Sequence, residues 1–243
     1  MANLFLICAA GIVGLVVARW VKSRTKTDWI DLACVPWLFV VSIVVEHAQH
    51  QVYYQSWRTG SCSLLLAAGL GIACARLVFV IGLARFWPRP GPLGFPVKRV
   101  FWSMLVGFVA GSVQSWAIAE GQWPTFLQLK AALAGWYVQE ISATVMQEAV
   151  YRGRVMDALR LRIRPAGHLI ACQALVFAAF HVPGMLRRHE TYPSFLAALP
   201  DLGLIFLGGC VAGILRYWRR DLWAPVAQHA VYNILIQTMT FKV

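Results

Sequence analysis

Gln147-Glu148-Ala149-Val150-Tyr151-Arg152-Gly153 sets a carboxylate four residues ahead of a guanidinium inside an otherwise apolar stretch. On a helix this spacing puts both side chains on one face with the acid nearer the N-terminus, the favoured orientation for an i, i+4 ion pair. Two histidine segments, Phe177-Ala178-Ala179-Phe180-His181 and His229-Ala230-Val231-Tyr232-Asn233, lie in equally apolar surroundings. His229 and Asn233 are four apart, so an imidazole and an amide share a face. Together they supply two donors toward a developing oxyanion, or one donor and a proton shuttle. Position 147 lies about 100° round the helix from Glu148, clear of Arg152. A carboxylate there would suit water activation, but the residue is glutamine.

Each motif has a plain structural reading too. A paired glutamate and arginine can simply tolerate burial, and a lone histidine in a membrane helix is more often a hydrogen-bonded packing residue. The balance shifts toward chemistry because an acid and two histidines occur together in lipid-like sequence, where ionisable groups are costly.

The elements that must position these residues follow from composition. The chain has 243 residues, of which 59% are hydrophobic and only 13% charged, with a mean hydropathy of +0.62. A soluble domain carries about 25% charged residues, so this is an integral membrane protein. Apolar runs near residues 2–18, 30–45, 63–83, 100–118, 127–150, 166–182, 202–215 and 223–241 approach the roughly 20 residues that span a bilayer. The fold class expected is all-α, a polytopic transmembrane bundle of about eight helices, with the 202–215 run notably short.

The net charge of +12 is not a nucleic-acid footprint, because the basic residues collect in alternate connections. Arg19, Lys22, Arg24 and Lys26 follow the first run; Arg85, Arg89, Lys98 and Arg99 follow the third. Arg152, Arg154, Arg160, Arg162 and Arg164 follow the fifth, and Arg216, Arg219 and Arg220 the seventh. That alternation is the positive-inside pattern and predicts both termini outside the cytoplasm. The basic cluster follows the first apolar run rather than preceding it, so that run reads as a permanent span, not a cleaved leader. The six cysteines show no C-x-x-C spacing and read as small apolar packers.

Residues 88–96 are rich in proline and glycine and cannot sustain a helix. They divide an accessory N-terminal group, residues 1–96, from a core, residues 97–243, that holds all three motifs. Within the core, Arg164-Pro165 reads as the turn of a helical hairpin. Glu148 precedes Pro165 by 17 positions and His181 follows it by 16, so at about 1.5 Å of rise per residue both side chains reach the same depth. Pro183-Gly184 is expected to end the second arm just after His181. The segment from Arg152 to Ile163 reads as a basic amphipathic helix, lying on the headgroups or extending the hairpin. Arg76 is expected to pack, with pairing to an acid across helices or snorkelling as the alternatives.

The three motifs, taken in order, resemble those of the CAAX-protease and bacteriocin-processing (CPBP, or Abi) family of glutamic intramembrane proteases. That pattern is Glu-Glu-x-x-x-Arg, Phe-x-x-x-His and His-x-x-x-Asn or Asp. Gln147, Glu148 and Arg152 fall on the first, Phe177 and His181 on the second, His229 and Asn233 on the third. Gly153 and Leu222-Trp223-Ala224-Pro225 are also similar, and the likeness runs from about residue 139 to 236. The resemblance implies peptide-bond hydrolysis by a water that a glutamate and a histidine activate. Carried over, the first-glutamate role falls on Gln147 and the supporting-acid role on Glu148 with Arg152. His181 would assist the water, and His229 with Asn233 would polarise the scissile carbonyl. Phe177 and Tyr151 are the candidate substrate contacts, Phe177 serving also as core packing.

Glutamine cannot take the water's proton, so hydrolysis is expected to be impaired as the chain stands. Three readings of Gln147 stay open: a chain inactivated by substitution, a relative that binds without cutting, or an active enzyme in which Glu148 or another acid serves. Glu140, two turns earlier, is about 10 Å away along the axis. The partner implied is a membrane-anchored, prenylated or leader- or sorting-tail peptide in the bilayer of a bacterial or archaeal inner membrane, with no cofactor, no metal and no nucleic acid. The alternatives are a peptide-binding or immunity protein on the same fold, and a zinc peptidase using His181, His229 and Glu148.

Overall fold

A computed structural model describes residues 62–86, 94–118, 134–186, 191 and 193–240, and every regular element among the described residues is helical. α1 is Cys62–Phe86, and α2 is Val100–Ile118 behind a short 3-10 turn at Val97–Arg99. α3, Ala134–Glu148, runs into a π-helical segment, Ala149–Val155, and then α4, Met156–Arg160. α5 is Ala166–Leu186, α6 is Phe195–Arg219 and α7 is Trp223–Thr240.

Four of these are long and apolar enough to cross a membrane, over Ala67–Arg85, Val97–Ile118, Ala166–Leu186 and Phe195–Arg219. They coincide with four of the expected runs. Runs 2–18 and 30–45, and the start of 127–150, lie outside the described residues. The α7 run, 223–241, is helical from Trp223 to Thr240 but is not one of the four, since it carries Gln228, His229 and Asn233.

α2 and α7 pack along a seam of small residues. The buried positions of α2 are Ser103, Gly107, Gly111 and Ser115, one every four residues, which forms a single stripe down the helix. A methyl group at Gly107 would overlap the Ala224 carbonyl, and one at Gly111 the Gln228 carbonyl. Small residues at this spacing let helix backbones approach closely where lipid gives no hydrophobic drive to association. The other side of α2 exposes Phe101, Trp102, Leu105, Phe108, Val109, Val113 and Trp116, an apolar surface for acyl chains.

α5 and α6 pair in the same manner: a Cβ on Gly209 would stand 3.1 Å from that of Ala174, and one on Gly213 3.0 Å from Ile170 Cγ2. α1 packs on α3, where buried Arg76 donates to the Gln139 carbonyl and to Ser142 Oγ. α1 also sends Val80 and Leu83 into the core that holds Met146, Val150, Tyr151, Met156, Leu159 and Phe177.

The register of α7 is set at its start. Arg220 ends α6 in the left-handed conformation (φ 58°), its N–H on the Arg216 carbonyl. Asp221 Oδ1 then accepts from the backbone N–H of Trp223 (3.0 Å) and Ala224 (3.3 Å), and Oδ2 accepts from Ser103 Oγ at 2.7 Å. This is a helix N-cap tied sideways to α2. Leu222 N–H donates to the carbonyl of Gly94, whose φ of 87° suits glycine, at 2.6 Å.

Three sequence expectations need correction. α5 does not end after His181; Pro183 lies inside it and the helix continues to Leu186. Proline withdraws only the N–H that would bond Ala179, a loss that lipid-embedded helices absorb. The short run 202–215 belongs to a 25-residue helix that starts at Phe195, capped by Ser194 Oγ, and contains Pro200. Of the two readings of Arg152 to Ile163, lying on the headgroups is overturned, and the segment instead continues the helix of α3 as far as Arg160. All seven residues of the π segment are buried, Arg152 and Arg154 included, and α4 stops at Arg160. Arg154 reaches the Leu83 and Ala84 carbonyls at 3.3 Å, the open end of α1. Arg152 and Arg154 therefore serve the interior, while Arg160 and Arg164 beyond them are exposed.

Candidate active site

Glu148 is the last residue of α3 and is wholly buried. Its Oε1 accepts from Arg152 Nη1 at 2.9 Å, the ion pair expected from the i, i+4 spacing. The same oxygen meets His229 Nδ1 of α7 at 2.7 Å. Glu148 Oε2 and Arg152 Nε have no hydrogen-bond partner among the described residues. The π segment that follows widens the helix by one residue per turn, a feature that recurs at functional sites.

Arg152 is placed from three sides. Nη1 holds Glu148, Nη2 reaches the Gly209 carbonyl at 3.4 Å, and the guanidinium carbon sits 4.0 Å from the centre of the Phe177 ring. Phe177 is the hub of an aromatic cluster, edge-on to His181 at 4.8 Å and to His229 at 5.5 Å. On its far side it meets Tyr151, which packs also against Phe180.

A cavity of about 50 Å³ opens beside this cluster, with room for a few water molecules. Its wall comprises Gln114 of α2, Arg152, Phe177 and His181 of α5, Leu204, Ile205 and Gly208 of α6, and Gln228, His229, Tyr232 and Asn233 of α7. The sequence-predicted residues Arg152, Phe177, His181, His229 and Asn233 thus share one wall, and Glu148 stands directly behind it on His229. Gln147, Glu140 and Tyr151 are not on that wall; Tyr151 is fully buried in the core.

The hydrogen bonds fix what each imidazole can do. Donation from His229 Nδ1 to the Glu148 carboxylate leaves Nε2 of a neutral ring as an acceptor. His181 Nδ1 lies 3.0 Å from the Phe177 carbonyl, which can only accept, so its Nε2 is likewise left with a lone pair. With both rings neutral, each Nε2 is a proton acceptor and becomes a donor only once protonated. Asn233 and Arg152 are donors without that condition.

Sequence reasoning did not single out Gln114, Gln228, Leu204, Ile205, Gly208 or Tyr232. A signal was present for two of them: Gln114 is a large polar residue within an apolar span, and Gln228 immediately precedes His229. Among the described residues no three His, Cys, Asp or Glu side chains group as metal ligands, so the arrangement lends no donor set to the zinc reading.

Residues 129–235 match the family model described as type II CAAX prenyl endopeptidase Rce1-like. This segment spans all three motifs. No curated protein and no solved structure matches the chain.

Proposed function

We propose, from residues 129–235 being an Rce1-like segment of an integral membrane protein, that the chain is an intramembrane endopeptidase in which Glu148 and His229 form the catalytic base. The observation that carries this is the 2.7 Å contact between Glu148 Oε1 and His229 Nδ1, with His229 on the wall of a cavity of about 50 Å³. Of the three readings of Gln147, this geometry favours an active enzyme served by its neighbour.

The chemistry is proton transfer through an oriented imidazole. His229 Nε2 takes a proton from a cavity water while the water oxygen adds to the scissile carbonyl carbon. Glu148, held by Arg152, stabilises the imidazolium that forms. The carbonyl oxygen becomes an oxyanion, for which the Asn233 amide and the Arg152 guanidinium on the wall serve as donors. The C–N bond then breaks as the imidazolium returns its proton to the leaving nitrogen, giving a carboxylic acid and an amine. His181 holds the water through its free ring nitrogen.

The substrate is a membrane-anchored peptide tail, prenylated in the first instance, with a leader or sorting tail as the related class. All residues on the cavity wall lie between Gln114 and Asn233, which supports a catalytic core within residues 97–243 and an accessory role for the preceding helices.

The test is cleavage of an internally quenched farnesylated CAAX-type peptide by the full chain in nanodiscs. Turnover by the wild type that is lost in both His229→Ala and His181→Ala, and unaffected by chelators, is expected. Turnover that survives His229→Ala, or stops on chelation, contradicts the assignment. A second reading, capture without cleavage, is favoured by the amide at position 147, and saturable peptide binding with no product is its signature.

A further inference from the structure

The cavity wall holds a pair of amides that the hydrolytic chemistry does not use. Gln228 Nε2 of α7 donates to Gln114 Oε1 of α2 across the helix seam. Gln228 Oε1 is buried and has no partner among the described residues. Gln114 Nε2 lies where a Cβ on Gly208 would stand, 2.8 Å away, so the absence of a side chain at 208 gives the amide its place.

A primary amide has two N–H donors and a carbonyl acceptor. One donor and one acceptor are consumed in joining the two glutamines. The joined pair keeps an acceptor on Gln228 and donors on Gln114, both belonging to residues on the cavity wall. Reversing the orientation of both amides leaves the same complement. A residue of an extended peptide presents its N–H and its C=O on the same edge, and therefore asks for one acceptor and one donor side by side.

We propose that Gln114 and Gln228 form a main-chain clamp that holds one residue of an extended peptide substrate next to the scissile bond. The clamp deepens the peptidase reading and rests on it. Its two halves come from different parts of the chain, since Gln228 lies within the Rce1-like segment while Gln114 precedes it. The glutamines are positioning residues: they fix the register of the backbone, whatever its side chains, while the lipid anchor supplies affinity.

The test is an N-methyl scan. A fluorescent farnesylated CAAX-type peptide, with its scissile amide reduced so that it cannot be cleaved, is N-methylated at each remaining amide in turn. Binding to the full chain in nanodiscs is read by anisotropy. In the wild type, methylation at one amide is expected to weaken Kd about five- to tenfold, the size of a lost hydrogen bond. In Gln114→Met and Gln228→Met, which keep side-chain length, that penalty should fall below about twofold while penalties elsewhere stay as they were. Gly208→Ala, which only crowds the tip of the Gln114 side chain, should act in the same direction. Loss of packing alone would weaken every peptide equally and leave the scan unchanged. An unchanged scan in all three variants, with the cleavable parent peptide still hydrolysed, overturns the clamp and leaves the peptidase standing. A wild type that neither binds nor cleaves any of the peptides overturns both.

Discussion

His229 Nδ1 lies 2.7 Å from Glu148 Oε1, joining residues 81 positions apart at the end of α3 and the middle of α7. Glu148 has no exposure to solvent, and Arg152 shares the same oxygen at 2.9 Å. A carboxylate so held does little as a direct base, yet it orients an imidazole and stabilises its protonated form. The proposed division of labour would give Glu148 a function that its pairing with Arg152 alone would not.

Removing the charge of Glu148 should therefore separate catalysis from binding. Glu148→Gln is expected to lower the turnover of the quenched peptide by about 10³ to 10⁴-fold, the scale on which a histidine base depends on its carboxylate. Binding of the uncleavable peptide should change far less. Turnover within tenfold of wild type would remove Glu148 from the mechanism.

The same substitution should be felt in stability, because it leaves the Arg152 guanidinium buried without its counter-charge. Breaking one side of such a pair costs about 3–5 kcal/mol. Thermal unfolding in detergent should show Glu148→Gln and Arg152→Met each strongly destabilised, and the double variant less destabilised than their sum. Additive losses would mean that the two side chains act independently.

Glycines on the two sides of the bundle should respond in opposite ways. Gly107→Ala and Gly111→Ala force methyl groups onto the backbone of α7 and should lower stability by about 1–3 kcal/mol or more, with loss of activity as His229 shifts. Gly71→Ala and Gly82→Ala in α1 meet nothing within 4 Å and should be neutral or stabilise by about 0.5–1 kcal/mol. Equal effects in a thermal-shift series would contradict the α2 and α7 seam.

The turn before α7 offers a paired test. Asp221→Ala removes the cap on Trp223 and Ala224 and the tie to Ser103, at a cost of about 1–2 kcal/mol. Arg220→Gly relieves a left-handed residue of about 1 kcal/mol and should raise the melting temperature. No difference between the two variants would show that this corner does not set the start of α7.

Much of the site was legible in the sequence because membrane burial makes polar residues conspicuous. The Glu148 and Arg152 pair at i, i+4 follows from helix geometry alone, as does the joint face of His229 and Asn233, whereas the rise count that put Glu148 and His181 at one depth assumed an unbroken α-helix where the chain is π-helical from Ala149 to Val155. The contact of His229 with Glu148 was not legible, because it depends on how α7 is rotated against α3, and no local spacing encodes that. The π segment was hidden for a related reason: its seven residues read as ordinary helix, and only the backbone hydrogen-bond pattern distinguishes the widened turn. Ser103, Gly107, Gly111 and Ser115 did carry a readable signal, a four-residue period of small side chains. Pro183 misled in the other direction, since a rule that holds in water fails where neighbouring helices supply the packing.

The most direct measurement is the rate at which the full chain in nanodiscs cleaves the farnesylated quenched peptide, wild type against Gln147→Glu. With the base built from Glu148 and His229, the wild type turns over and an acid at position 147, off the cavity wall, changes the rate by less than about threefold. A silent wild type that gains robust cleavage from Gln147→Glu would show instead that residue 147 is the seat of the base and that Glu148 only supports it.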